Sequence, residues 1–333
     1  MNNPTALAVD SAGNVYVADS GNHRVLFMPK TTATYFGVAM VANWMYVIAG
    51  TGASGTGTSG SLATSCALNN PTGVCVDSAG NVFIADNGNN RIMFIPKTSG
   101  TYFGSVNATT NFGNYLYTMP GYASLLSAPR KITVDSSNHF CVASYGNHTI
   151  VFYPVANGTY FGTSMTANTG YKIVGVSATS GISAEGTGIA TSRLFNPQSA
   201  RVDSSGNLYI ADFQNQRIVF VPQTTGTYFG VSMTANSTYT IAGANTTATS
   251  GFAGDFGLYA SSRLQSPSSV CVDVGGNVVI ADTYNNRIRM VVRSTIGSSY
   301  LNNNANVLFN SRNTGYFING IDVANYPNLV SLS

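Results

Sequence analysis

Fifteen residues hold all the carboxylate and imidazole chemistry of this chain: eleven Asp, the single Glu185, and His23, His139 and His148. Such groups act as general acids and bases when two share a pocket, and as metal ligands when three or four converge. Their spacing points elsewhere. Asp10, Asp77, Asp135, Asp203 and Asp273 each close a short apolar run (LAVD, VCVD, ITVD, ARVD and VCVD), at intervals of 67, 58, 68 and 70 residues. Asp19, Asp86, Asp212 and Asp282 close a second run: VYVAD, VFIAD, LYIAD and VVIAD. Only Asp255, Asp322 and Glu185 stand outside this code. A residue used in every copy serves what every copy needs, here a hydrogen-bonded turn whose Asp accepts from backbone N–H groups or from Arg. Arg24, Arg91, Arg217 and Arg287, each in a following Asn-x-Arg element, are the expected partners of these Asp or of neighbouring carbonyls. A ring of such pairs binding an anion is the alternative.

His23 and His148 fall in one slot, filled by Asn90, Gln216 and Asn286 in the other copies. Free exchange with an amide argues for a hydrogen-bonding role. His139 lies in a hairpin turn, and three His so placed make no metal triad. The DSAGN turn lacks the further acidic ligands and closing Glu of a calcium loop. No G-x-S-x-G elbow occurs. No cofactor and no metal are expected.

These residues sit on a repeated set of strands. Each copy continues from the VD run through a Gly-Asn turn to the second run, then through Asn-x-Arg to a third: VLFMPK, IMFIPK, IVFYPV, IVFVPQ and IRMVVR. A fourth run follows in most copies: YVIAG at 46–50, YLYTMPG at 115–121, YKIVG at 171–175 and YTIAG at 239–243. Val, Ile, Tyr and Phe in runs of this length suit strands, and the turn glycine supplies positive φ. Pro29, Pro96, Pro154 and Pro222 mark the end of the third run, where proline is tolerated. Four strands per copy with no helical pattern predict an all-β β-propeller of four-stranded antiparallel blades. Five repeats are visible, so the ring is five-bladed or part of a six-bladed one. One domain is expected over 1–333, with blades at about 4–66, 67–125, 126–193, 194–263 and 264–333. The last fourth strand falls in 294–333, at NVLF (306–309) or YFING (316–320).

The pattern P-x-x-[VI]-x-VD-x-x-GN-[VL]-Y-[VI]-AD-x-x-N-[HNQ]-R-[IV] resembles the NHL repeat, over residues 4–293. The TYFG-containing insert between third and fourth runs is similar to that of bacterial multi-repeat NHL proteins. This resemblance implies an extracellular or cell-surface location. The third copy departs from the pattern, with Ser144 for Asp and Thr149 for Arg.

Charged residues form 8% of the chain, against a usual quarter, and the net charge is only +3. That balance, dispersed along the chain, argues against nucleic acid. No apolar run approaches the ~20 residues of a membrane span. No secretory signal opens the sequence, and Met1 stands three residues before Pro4, so the chain is expected to be a fragment or a mature domain given a start Met. Of four cysteines, Cys75 and Cys271 share a first-strand position and Cys141 begins a second strand, as small buried reduced thiols do. Cys66, in a connection, is the candidate for an exposed thiol. Sequons at Asn107, Asn147, Asn157, Asn236 and Asn245 permit glycosylation in an exporting organism.

Departures from the repeat mark candidate binding positions. Arg130 and Lys131 follow Pro129, and Arg201 replaces the small residue of the other first strands. Together they would form a basic spot for an acidic glycan or carboxylate; solvated rim charges are the alternative. The TYFG aromatics (Tyr35, Phe36, Tyr102, Phe103, Tyr160, Phe161, Tyr228 and Phe229) would either stack on sugars and partners or cover a blade edge. The reading is a non-catalytic interaction scaffold that binds a protein or glycan through loops. A channel-mouth enzyme of lyase or lactone-hydrolase type competes with it, and would need Glu185, Asp255, His139 or His148 to converge. A structural module of a surface array or adhesin is the third reading.

Overall fold

The computed structural model describes residues 1–292, apart from 110–111, 123, 244–249, 254–261 and 274, together with the strand Phe317–Asn319. The fold is all-β and of the β-propeller class, with five antiparallel blades. The first blade pairs Pro4–Val9, Val15–Asp19, Arg24–Met28 and Tyr46–Ala49 in that order. The second uses Pro71–Val76, Val82–Asp86, Arg91–Ile95 and Tyr115–Thr118; the third uses Pro129–Val134, Phe140–Ser144, Thr149–Tyr153 and Tyr171–Val174. Ser199–Val202, Leu208–Asp212, Arg217–Val221 and Ser237–Gly243 make the fourth. The fifth is Pro267–Val272, Val278–Asp282, Arg287–Val291 and Phe317–Asn319. Its last strand is the YFING stretch, whose Ile318 pairs with Met290; NVLF lies outside the described residues. The chain divides into two compact units, Met1–Ile173 and Val174–Leu332.

Two blades gain a short fifth strand from the connection that precedes them. Leu62 pairs with Tyr115, and Ser61, inside the span expected for the first blade, pairs with Leu116 of the second. Thr187 and Gly188 pair likewise with Thr238 and Ser237 of the fourth.

Second and third strands are buried along almost their whole length, as in Val82–Asp86 and Leu208–Asp212. Both faces of a blade are covered, so these strands read as continuous apolar runs rather than alternating ones. Within each unit the core lies between consecutive blades. In the first unit, Phe83 of the second blade meets Phe140 of the third with ring centroids 4.4 Å apart; in the second unit, Tyr209, Phe220, Val270 and Ile280 share one cluster. Position in the strand does not decide burial by itself. Leu7 is 61% exposed, whereas Val74 and Ile132 at the same register are buried. Ile288 is 51% exposed, whereas Ile218 at its register is fully buried.

Polar stitches set the register between blades. The Nδ1 of His23 accepts the N–H of Asn70 (3.0 Å), and Asn90 Oδ1 accepts that of Ala128 (2.7 Å). In the second unit Gln216 Oε1 accepts the N–H of Ser266 (2.5 Å). Each acceptor residue and each donor residue has left-handed φ, between 45° and 58°. A His, Asn or Gln all supply the one thing this slot needs, an acceptor held out from a left-handed backbone. Threonines add a second row: Thr5 Oγ1 donates to Thr72 O (3.1 Å), and Thr72 Oγ1 to Pro129 O (2.9 Å).

The TYFG inserts are β-hairpins. Tyr35 pairs with Val38 across the two-residue loop Phe36-Gly37, both at positive φ. Such a loop matches strand twist but strains a Phe, so the ring must be held by its contacts. Phe27 meets Tyr35 and Phe36 at 5.1 Å each, and Phe94, Phe152 and Phe220 meet their own pairs at 5.2–5.6 Å. The Tyr hydroxyls close the hairpins onto backbone, as Tyr102 does on Thr98 O (2.7 Å). The aromatics therefore pack over the third strand of the blade rather than along its outer edge, and Phe103 also meets Tyr153 of the third blade at 5.7 Å.

The acceptor reading of the stitch makes a sharp expectation. His23→Gln should leave stability within about 0.5 kcal/mol, while His23→Ala, which orphans the Asn70 N–H, should cost about 1–3 kcal/mol in urea unfolding.

Candidate functional site

The five VD aspartates organise hairpins. Asp10 Oδ1 accepts the N–H groups of Ala12 (3.0 Å) and Asn14 (2.9 Å); its Oδ2 accepts Asn14 Nδ2 (2.8 Å) and the Tyr16 hydroxyl (3.1 Å). Asn14 Oδ1 then accepts the Lys30 N–H (2.9 Å), tying the turn to the end of the third strand. Asp203 repeats this arrangement with Tyr209, Asp77 repeats it without a hydroxyl because Phe83 stands there, and Asp273 holds Asn277 in the same way. In the third blade His139 stands where Asn stands elsewhere: its N–H donates to Asp135 (2.9 Å) and its Nδ1 accepts the Val155 N–H (3.1 Å).

The AD aspartates lie fully buried. Asp19 Oδ1 accepts the Asn2 N–H (2.7 Å), and its Oδ2 accepts Asn22 Nδ2 (2.9 Å) and Arg24 Nε (2.8 Å). Asp86 does the same with Asn69, Asn89 and Arg91, and Asp212 with Phe195, Asn215 and Arg217. One carboxylate thus joins the segment before the first strand to the turn and the third strand. Burial pushes the Asp19 carboxyl up, but the bonds from Asn22, Asn2 and Arg24 outweigh it and hold it below its ordinary 3.8. The third blade keeps the link without charge. Ser144 Oγ accepts the Ser127 N–H (2.9 Å) and donates to Leu125 O (3.1 Å).

The fifth blade corrects one expectation. Arg287 pairs with Asp282 only as a strand neighbour; its guanidinium lies over the Phe252 ring at 4.1 Å. Arg289, fully buried, approaches Asp282 Oδ2 at 3.4 Å and donates to Arg263 O (2.6 Å) and Ala253 O (2.8 Å). The signal was present in the sequence, where IRMVVR places an Arg at a position that is apolar in the other copies. Cys66 is a second correction: it is 1% exposed, not a surface thiol. Burial pushes the Cys66 and Cys141 thiols up, which makes them poor nucleophiles. Cys75 is also buried and Cys271 half-buried.

Two of the enzyme candidates are engaged in backbone bonds. Glu185 Oε2 accepts the Thr240 N–H (2.8 Å), and His139 is held as above. Asp255 and Asp322 lie outside the described residues. Among the described residues no group of three or more His, Cys, Asp or Glu is placed to hold a metal ion, and no helix is long and apolar enough to cross a membrane.

Of the basic candidates, Arg130 stands out. It follows Pro129 as Thr5 follows Pro4 and Thr72 follows Pro71, but its guanidinium stacks on the Tyr145 ring at 4.5 Å. Tyr145 occupies the place of Ser20 and Asn87, so a stacked pair replaces the hydroxyl and amide that reach Pro71 O and Pro129 O in the first two blades. Arg130 Nε is buried with no hydrogen-bond partner among the described residues. Lys131 is half-buried on the same strand. Arg201, half-buried in the second unit, faces Tyr209 across its strand pair.

Five four-stranded meanders with this aspartate code define a β-propeller built from repeats. The NHL repeat family model matches residues 1–26 and 68–92, and the teneurin NHL domain model matches 173–292. The chain is an NHL-repeat β-propeller protein. No curated protein sequence matches it. Among solved structures it is similar to an auxiliary nutrient binding protein from Bacteroides thetaiotaomicron (15% identity, TM-score 0.55) and to one from Bacteroides ovatus (12%, 0.55). Each likeness covers 87% of this chain and 59% of the other, so the chain spans about three fifths of their length. A virginiamycin B lyase from Staphylococcus aureus is 12% identical with TM-score 0.48, covering 89% of this chain and 69% of that one. The two Bacteroides likenesses carry the fold and nothing finer.

Two outcomes follow from the buried carboxylates. The paired Arg side chains are 32%, 15% and 3% exposed at Arg24, Arg91 and Arg217, so water compensates least at the last. Arg217→Ala should cost about 3–5 kcal/mol in chemical denaturation and Arg24→Ala distinctly less. Because the Asp19 carboxyl is lowered on folding, it stabilises above its unfolded value and loses that contribution as pH falls through the folded one. Asp19→Asn should therefore flatten the fall in urea midpoint between about pH 5 and pH 2 relative to the parent.

Proposed function

We propose that this chain is a non-catalytic interaction scaffold whose propeller-face loops bind a protein or glycan partner. One observation carries the reading. Among the described residues, the VD and AD aspartates are engaged in backbone, amide and Arg bonds of the repeat, and Glu185, His23 and His139 each hold a backbone N–H. The likeness to two proteins described as auxiliary nutrient binding supports a binding role, and fold alone does not assign function. The proposed location is extracellular or at the cell surface.

Arg130, with Lys131 beside it, is the proposed contact in the first unit for a carboxylate-bearing ligand, an acidic glycan or an acidic protein loop. Its stack on Tyr145 orients the half-buried guanidinium, whose terminal N–H groups would meet the acceptor. Arg201 is proposed to serve the same class of ligand from the second unit. The Asp and Arg of the repeat code serve the fold.

Screening the purified protein on an array of neutral and acidic glycans should find acidic binders. Arg130→Ala should weaken them about tenfold, the loss of one charge-assisted bond, with only the small fall in thermal midpoint that loss of the Tyr145 stack brings. Turnover of a lactone or uronate-containing substrate, abolished by Glu185→Gln or His139→Asn, would replace the scaffold reading with an enzyme.

A further inference from the structure

Each blade ties its short turn to the segment before its first strand by one backbone bond, and the fourth and fifth blades change the side chains at that joint. Gly21, Gly88 and Gly146 donate their N–H groups to Asn2 O (3.0 Å), Asn69 O (2.8 Å) and Ser127 O (2.9 Å). A Cβ on any of these glycines would collide with the side chain of Asn2, Asn69 or Ser127. Gln214 and Tyr284 hold the same place, donating to Phe195 O (3.1 Å) and Gln265 O (3.0 Å). Large side chains thus stand on both sides of a bond that elsewhere requires glycine.

The neighbouring position changes with it. Ser20 and Asn87 reach Pro71 O and Pro129 O; in the fourth blade Phe213 stands there, and its ring meets that of Tyr284 at 6.3 Å and 73°. Tyr284 is 64% exposed and Phe213 half-buried. Gln198 follows Pro197 as Thr5, the partner of Ser20, follows Pro4. Phe195, Gln198, Gln214 and Gln265 are half-buried. The repeat's own turn amides are engaged: Asn215 bonds Asp212 and Gly181 O, and Asn285 bonds Asp282 and Gly251 O. The amides of Gln198, Gln214 and Gln265 bond no other described side chain or backbone group. No Asp, Glu, Lys, Arg or His occurs in 195–200, 213–216, 265–269 or 283–286. The adjoining Asp212 and Asp282 are fully buried, and Arg287 lies over Phe252.

We infer that Phe213 and Tyr284, with Gln198, Gln214 and Gln265 around them, form a binding site for a neutral glycan, wholly within the second unit. A pyranose presents an apolar C–H face and a rim of hydroxyls that both donate and accept. Aromatic rings take the face, and side-chain amides, which carry a donor and an acceptor each, take the rim. A carboxylate or phosphate ligand would find no cation on these turns. A nucleic-acid base would stack on the same rings, but its backbone would lack the positive groove such binding uses. The inference rests on the glycan side of the scaffold reading and uses no residue of the Arg130 contact, so either can fail without the other.

The test titrates cellohexaose, maltohexaose and mannohexaose into the protein by calorimetry. Saturable binding of at least one is expected. Tyr284→Ala should weaken it at least about tenfold, while Tyr284→Phe, which keeps the ring, should stay within about twofold. Tyr284 is exposed, so both variants should keep the thermal midpoint of the parent. Arg130→Ala should bind these neutral sugars as the parent does. No binding of any of the three at millimolar sugar, or equal binding by Tyr284→Ala, would overturn the inference while leaving acidic binders at Arg130 untouched. Saturable binding of oligo(dT) or oligo(U) that Tyr284→Ala abolishes would overturn it too, because the rings would then serve bases.

Discussion

A buried carboxylate at the end of the second strand is the joint on which each blade depends. Asp19, Asp86, Asp212 and Asp282 each accept a backbone N–H from seventeen residues upstream, an Asn amide from the adjoining turn, and an Arg. An isolated buried charge would be costly, and these bonds offset that cost only while all are present. The blade thus acquires a fixed start, a fixed turn and a fixed third strand from one side chain. The third blade shows what is essential: Ser144, without charge, keeps the acceptor for the upstream N–H. The fifth shows that the source of the cation is negotiable, because Arg289 reaches Asp282 from two residues beyond the usual position.

Blades so built still need neighbours. In the first, second and fourth blades the left-handed residue after the short turn reaches out to the next blade with whatever acceptor it carries, an imidazole, an amide of Asn or an amide of Gln. The chemistry is interchangeable because only one lone pair is used. Aromatic hairpins cover the third strand with a Tyr-Phe pair whose Phe pays for its left-handed backbone by meeting the blade's own Phe. These repeated uses engage the motif Asp, Asn, Arg and His side chains, and that engagement underlies the scaffold proposal. Function in such a molecule is sought where a copy breaks the rule, as at Arg130 with Tyr145.

Much of this was legible in the chain. The repeats, their strands, the turn role of the VD and AD aspartates and the hydrogen-bonding role of the His slot follow from period and residue type. Even the last outer strand lay within one of two stretches named from sequence. The Arg287 expectation failed because strand register specifies which residues are opposite, not which guanidinium wins the carboxylate; Phe252 drew Arg287 away and a second Arg filled the space. Cys66 was misjudged because its burial comes from how a connection folds back, with Cys66 beside Gly57, and no local pattern encodes that.

Sequence by itself determined the blade: alternation of apolar runs and turn residues is a local property, and each motif side chain bonds mostly to groups within a few residues or one turn of chain. Tertiary structure alone decided exposure. Leu7 and Val74 occupy one register, as do Met45 and Leu116, yet one of each pair is exposed and the other buried. Burial depends on whether another segment lies against that face or edge, and that contact joins residues distant in the chain, where periodicity carries no information.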